Sequence, residues 1–244
     1  MKKPLVMAGA LLMSATVYAN DEIHWGYSGP EGPEHWGELS PRFAACALGR
    51  NQSPVDLNDF IESDLKPIEV HYQAGGNEVI NNGHTIQVNY APGSKISIAG
   101  HEFTLKQYHF HVPSENHING KSFPMEAHLV HADEDGNLAV VAVMFMEGDE
   151  NPSLTEAWMH MPEKAGDKQA LSPGTSADAM LPTQRNFYQY NGSLTTPPCS
   201  EGVRWIVMKE PVSASKEQIE KFSHVMHHPN NRPIQAVNAR PILE

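Results

Sequence analysis

The chain of 244 residues does without several things that would place it in other classes. It carries 17 Lys and Arg against 29 Asp and Glu, a formal net charge of −12. That balance excludes nucleic acid as a partner, because phosphate is bound by clustered cations. It has two cysteines, which allow one disulfide at most. It has no internal repeat, no low-complexity tract and no Gly/Ser or Pro linker, so it reads as one domain with ample length for a core. Past the first residues, no apolar run approaches the ~20 residues that a membrane-spanning helix needs. The His-Glu-x-x-His signature of zinc peptidases is missing as well.

What is present begins with an address. Lys2 and Lys3 precede the apolar run "PLVMAGALLMSATV", which ends in Val17-Tyr18-Ala19. Positive start, short apolar stretch and small-x-small end form the pattern of a signal peptide, so residues 1–19 are expected to be removed on export, leaving a domain over 20–244. Cleavage removes two lysines and no acid, leaving the chain more acidic still. Export makes a Cys46–Cys199 bridge the simplest fate of the two thiols. Closing so long a loop is worth about 4–5 kcal/mol in the chain-entropy model.

Residues 20–60, rich in Gly, Pro and Trp, read as irregular. Alternating or β-branched runs follow at 68–72, 85–89, 95–98, 103–112, 126–131, 138–146, 187–190 and 203–209, with turn signals such as "NNG", "APGS" and "DEDGN" between them. Helix signals are few. One lies at 153–161 after Asn151-Pro152, and another at 215–227, where Ser215 and Gln218 have capping-box spacing. The sum is a β-dominated domain with short helices.

Within "QYHFHV", His109 and His111 are two residues apart, and a strand sends such residues to one face. Strict alternation puts Phe103, Leu105, Gln107, His109 and His111 on that face. In the next run, Glu126, His128 and Val130 share a face, and Leu129 and His131 take the other. Antiparallel pairing of the two runs places His128 across from the histidine pair. Three converging neutral imidazoles match a catalytic zinc site with its fourth tetrahedral position open. The geometry also accepts copper or cobalt; nitrogen ligands and availability favour zinc. Glu126 and Gln107, each two residues before a histidine, are placed to accept the second ring N–H.

These residues bring a family with them. "HWGYSGPEGPEHWG", "NQSPVDL", "NNGH", "QYHFHVPSENH", "EAHLVHAD", "NGSLTTPPCSEGVRW" and "NNRPIQ" follow one another as in the α-class carbonic anhydrases of the secreted bacterial type, which the chain resembles from about His24 to Ile242. The resemblance implies a large, mostly antiparallel twisted central sheet with peripheral helices and zinc at the base of a conical cleft. It implies His109, His111 and His128 as zinc ligands, with Gln107 and Glu126 behind them. The implied reaction is the reversible hydration of carbon dioxide to bicarbonate and a proton, with weak hydrolysis of activated esters beside it.

The same resemblance assigns further roles. Thr195 is the gatekeeper: its hydroxyl accepts a hydrogen bond from the attacking oxygen and donates one to an ionised Glu115, while its N–H holds a substrate oxygen. Thr196 contacts bicarbonate or water. Val130, Val140, Leu194, Val203 and Trp205 line the apolar pocket for carbon dioxide. His84 is the proton shuttle, with Tyr27, Asn82 and Gln87 ordering the waters between. Ser53-Pro54 and Pro197-Pro198 are expected to be cis. Gln87 stands where animal members have asparagine, and Val112-Pro113 where they have Trp-Gly. The implied setting is the periplasm, with a small-molecule substrate and room for a homodimer. A non-catalytic binding module, an ester-cleaving zinc hydrolase and a zinc store fit less well, given three retained histidines and no His-Glu-x-x-His.

Overall fold

The computed structural model describes residues 23–244; the expected export segment at 1–19 lies outside them. The strands, in chain order, are β1 (Asp56–Leu57), β2 (Glu69–His71), β3 (Gly76–Asn81), β4 (Ile86–Tyr90), β5 (Lys95–Ile98), β6 (His101–His111), β7 (His117–Ile118), β8 (Met125–Ala132), β9 (Leu138–Glu147), β10 (Lys168–Ala170), β11 (Phe187–Ser193), β12 (Glu201–Met208) and β13 (Val212–Ala214). The helices are α1 (Trp36–Leu39), α2 (Ala45–Leu48), α3 (Thr155–Met159) and α4 (Lys216–Met226). Among the described residues, eleven strands form one sheet with a spine of β10-β3-β4-β6-β8-β9-β12-β11; β1 and β7 pair separately. Pairings are antiparallel except where β9 meets β12 and β13, and in the β1–β7 pair.

The central strands are those with the most continuous apolar sequence. In β9, Ala139–Phe145 are buried without a break, as expected for a strand covered on both faces. On one face Phe110, Phe145, Trp158 and Phe222 join in the main core with α3 and α4. The capping box of α4 forms as its spacing predicts, and Gln218 also binds the backbone of Asn151 through both ends of its amide. On the opposite face, Val140, Val203 and Trp205 head a second cluster, and Trp36, Phe43 and the two cysteines a third. The Cys46–Cys199 disulfide is formed, with a Cα–Cα distance of 5.0 Å.

Two expectations need refinement. Residues 23–60 are mostly irregular, but four short helical turns, two of them with proline near the start, fold there around Trp36. Each is too short to show a 3.6-residue period. In β6, alternation is broken by a register shift against β8 between Leu105 and Gln107. Lys106 is the extra residue. Phe103 and Leu105 therefore fall in the same core as Tyr108 and Phe110, while Gln107, His109 and His111 face the other way. The bulge lets one strand serve a dry core along its whole length and still turn its histidines outward. Cis bonds occur at Ser53-Pro54 and Pro197-Pro198 as expected, and also at Val112-Pro113.

At Gly192 close approach requires glycine. A Cβ on Gly192 would lie 2.1 Å from the Ser53 hydroxyl and 2.9 Å from the Trp205 ring. Gly192→Ala should cost about 1–3 kcal/mol, as overpacking does, read as a lower denaturant midpoint at unchanged m-value.

Candidate metal centre

The β6–β8 register sets His109 directly opposite His128, and His111 opposite Glu126. The three rings converge, with centroids 5.1 Å, 5.3 Å and 4.5 Å apart, and offer ligand nitrogens all within 4.8 Å of one another. The second nitrogen of each ring is tied back. His109 donates from Nδ1 to Gln107 Oε1 (2.9 Å), His111 from Nδ1 to the Asn230 carbonyl (2.8 Å), and His128 from Nε2 to Glu126 Oε1 (2.9 Å). The lone pairs left facing inward are thus Nε2 of His109, Nε2 of His111 and Nδ1 of His128.

Burial, joined by the neighbouring histidines, holds His109 and His128 well below the ordinary imidazole range; burial also lowers His111. Neutral, oriented nitrogens are the form a metal takes. The His111 Nε2 and Glu115 Oε2 atoms are both buried without a hydrogen-bond partner, and they face each other at 3.5 Å. A neutral His111 Nε2 is an acceptor, and a buried acceptor left unmet costs about 1–3 kcal/mol. A cation among the three ring nitrogens meets that lone pair, so the donor set fits zinc.

Glu115 is set by opposing forces. Burial pushes its carboxyl up to about 8, while the Arg232 backbone N–H (2.8 Å) and the Thr195 hydroxyl pull it down. The ionised Glu115 of the gatekeeper scheme therefore depends on a positive charge beside it, as a bound cation supplies. Glu126 is fully buried with all its acceptor positions taken: Oε2 by the Glu115 and Asn116 N–H groups, Oε1 by the Asn116 amide and His128. From Asn116 the network continues through the Tyr190 hydroxyl (2.9 Å) to Ser53 and Ser193, which leads into Leu194-Thr195.

The five apolar pocket residues come together: Val140, Val203 and Trp205 inside one cluster, Val130 and Leu194 packed against it and half exposed. Trp205 meets the His128 ring edge-on, so this wall adjoins the ligands. Thr195 is buried and Thr196 half exposed beside it. His84 is stacked on Trp25 (3.7 Å between centroids) and lines a cavity of about 750 Å³ with Asn82 and Arg42. Burial, with His24 and His228 nearby, lowers its pKa. Asn82 donates to Gln87 at 3.4 Å, and burial keeps the Tyr27 phenol far above its usual titration range.

Sequence reasoning left three contributors without a role. Asn230 supplies the carbonyl for His111, and its amide donates to the His84 and Phe110 carbonyls, tying β6 and the His84 turn together. Arg232, buried, binds Gln52, Ser53 and Cys46 with its guanidinium while its N–H holds Glu115. Trp25 is the third. Asn230 and Arg232 stand inside "NNRPIQ", which marked the family but carried no chemistry of its own.

A family model described as eukaryotic-type carbonic anhydrase matches residues 31–244. A carbonic anhydrase of Pectobacterium carotovorum is 48% identical over 243 residues, covering 100% of both chains. The solved structure of the α-carbonic anhydrase of Thermovibrio ammonificans with the inhibitor sulfanilamide superposes with a TM-score of 0.90 at 51% identity, over 91% of this chain and 99% of that one. The Photobacterium profundum α-carbonic anhydrase gives 0.86 at 49%, over 91% and 100%. With the ligand nitrogens arranged as above and the match running the length of the domain, the chain belongs to the α-class, or eukaryotic-type, carbonic anhydrase family.

Proposed function

We propose that the chain is a zinc-dependent lyase of the periplasm that interconverts carbon dioxide and bicarbonate, with His109, His111 and His128 as its metal ligands. The observation that carries this is the geometry of the ligand set: three neutral imidazole lone pairs aimed at one point, each ring locked from behind. Zinc in such a site lowers the pKa of a water in its fourth position to about 7, a value for which carbonic anhydrase is itself the reference case.

The chain's own residues do the rest. Val130, Val140, Leu194, Val203 and Trp205 offer the small apolar substrate a wall it enters without losing hydrogen bonds. Thr195 donates to Glu115, which leaves its hydroxyl oxygen as the acceptor for the attacking oxygen and so aims a lone pair at the substrate carbon. The Thr195 N–H stabilises the charge that develops on the substrate oxygen, and Thr196 contacts the product. A donor of pKa about 7 sheds protons to bulk water at only roughly 10³ s⁻¹ if recombination runs near 10¹⁰ M⁻¹ s⁻¹. Faster turnover needs a relay to buffer, and His84 at the rim serves it, reached through waters held by Tyr27, Asn82 and Gln87. Export rests on the pattern of residues 1–19 and agrees with the disulfide. No described helix is long and apolar enough to cross a membrane.

His109→Ala should abolish zinc binding and carbon dioxide hydration together, by metal analysis and stopped-flow assay; full zinc occupancy in that variant would contradict the ligand assignment. His84→Ala should keep zinc and lose rate in weak buffer, with recovery in concentrated imidazole. Glu126→Gln should weaken zinc affinity about 10–100-fold, measured by competition with a chelator.

A further inference from the structure

On the sheet beside the ligands runs a chain of polar side chains, two of which, Glu78 and Asn89, have no part in the reaction as proposed. Lys168 Nζ donates to Glu78 Oε2 (2.8 Å), and Glu78 Oε1 accepts from Asn89 Nδ2 (3.0 Å). Asn89 Oδ1 accepts from Gln87 Nε2 (2.7 Å), and Gln87 Oε1 from Asn82 Nδ2 (3.4 Å). Asn82 Oδ1 then accepts from the backbone N–H groups of His84 and Thr85, both at 2.9 Å. The strand register keeps the chain alongside the site: Asn89 lies opposite Glu78 on one side and Gln107 on the other, and Gln87 lies opposite His109.

Each of the three amides has two orientations that exchange donor and acceptor. The ends of the chain do not. An ionised carboxylate only accepts, and a backbone N–H only donates. Traced from Glu78 or from His84, the links demand the same orientation of Asn89, Gln87 and Asn82, so no link is frustrated. Its bonds to Lys168 and Asn89 hold Glu78 below the ordinary carboxyl value, which keeps the acceptor end ionised. Each amide keeps one N–H outside these links.

We propose that Glu78 and Asn89 are positioning residues for proton export: they fix the direction of the Gln87 and Asn82 amides and thereby the arrangement of the His84 turn and its water path. The proposal rests on the shuttle role given to His84. The alternative is that the chain only braces the edge of the sheet, in which case cutting it affects stability and every kinetic constant alike.

The test uses zinc-loaded wild type, Asn89→Val, Glu78→Gln, His84→Ala and the His84→Ala/Asn89→Val double variant, in weak and in concentrated buffer. Loss of an ordered water bridge predicts that Asn89→Val lowers kcat about three- to ten-fold in weak buffer, leaves kcat/KM unchanged, and recovers in strong buffer. Glu78→Gln, which keeps the side-chain shape, lowers it in the same sense and serves where the valine variant folds poorly. In the His84→Ala background Asn89→Val adds nothing. Hydrogen exchange at the His84 and Thr85 amides quickens in Asn89→Val with or without zinc. Equal loss in both buffers, no loss, or a full additional loss without His84 overturns the proposal. Should His84→Ala show the buffer dependence and Asn89→Val not, the chain alone is refuted. Should His84→Ala show none, the shuttle reading fails and the proposal with it.

Discussion

The structure turns on unmet lone pairs gathered in a dry place. His109, His111 and His128 converge with their outer nitrogens already bonded, so their inner nitrogens face one another, and the buried His111 Nε2 has no protein partner. Such an arrangement leaves lone pairs unmet in the chain alone, and the fold has to hold the rings in place at that cost. It does so with rigid elements: long, mutually paired strands whose register leaves little freedom to the rings. A site of this kind gains most from a small, doubly charged, nitrogen-seeking ion, which is why the donor geometry says more about function than the pocket's size or shape does.

Holding the ligands is work shared across the molecule. Glu126 binds a ligand ring on one side and two backbone N–H groups on the other, and through Asn116, Tyr190 and Ser53 it reaches the segment that presents Thr195. Arg232 brings a buried cation to the same region, spanning from the α2 cysteine carbonyl to Glu115. The disulfide joins that same helix to the loop after Thr196. The histidine cluster, the Thr195 loop and the N-terminal cap are therefore connected by satisfied polar groups, and a buried network of this kind specifies one arrangement strongly only because it leaves few of its members unpaired.

Much of the fold was legible because its strands alternate or run apolar: the runs at 95–98, 126–131 and 138–146 lie within strands of nearly the same extent. Strands such as β3 and β10 were not, since Gly76, Asn77, Glu78 and Lys168 have little preference for strand and pair there because neighbours offer a ladder. The bulge at Lys106 was equally hidden. Periodicity assumes one residue per step, and a bulge shows only once the partner strand is present.

Local chemistry was enough to bring the three histidines together as a group able to hold a metal ion. Spacing of two in a strand puts His109 and His111 side by side, the next strand adds His128, and the same rule sets His131 on the far face, where it donates to Ala139 and accepts from Tyr72 instead of joining the metal site. Gln107 and Glu126 follow from the same arithmetic. Long-range contacts settled the remainder: which nitrogen of His111 points inward, because its other nitrogen meets a carbonyl 119 residues away, and whether Glu115 can carry charge, because the groups that decide it come from Arg232 and Thr195. Period and residue type are properties of a few neighbouring positions; a tautomer or a buried charge belongs to whatever the rest of the chain brings against it.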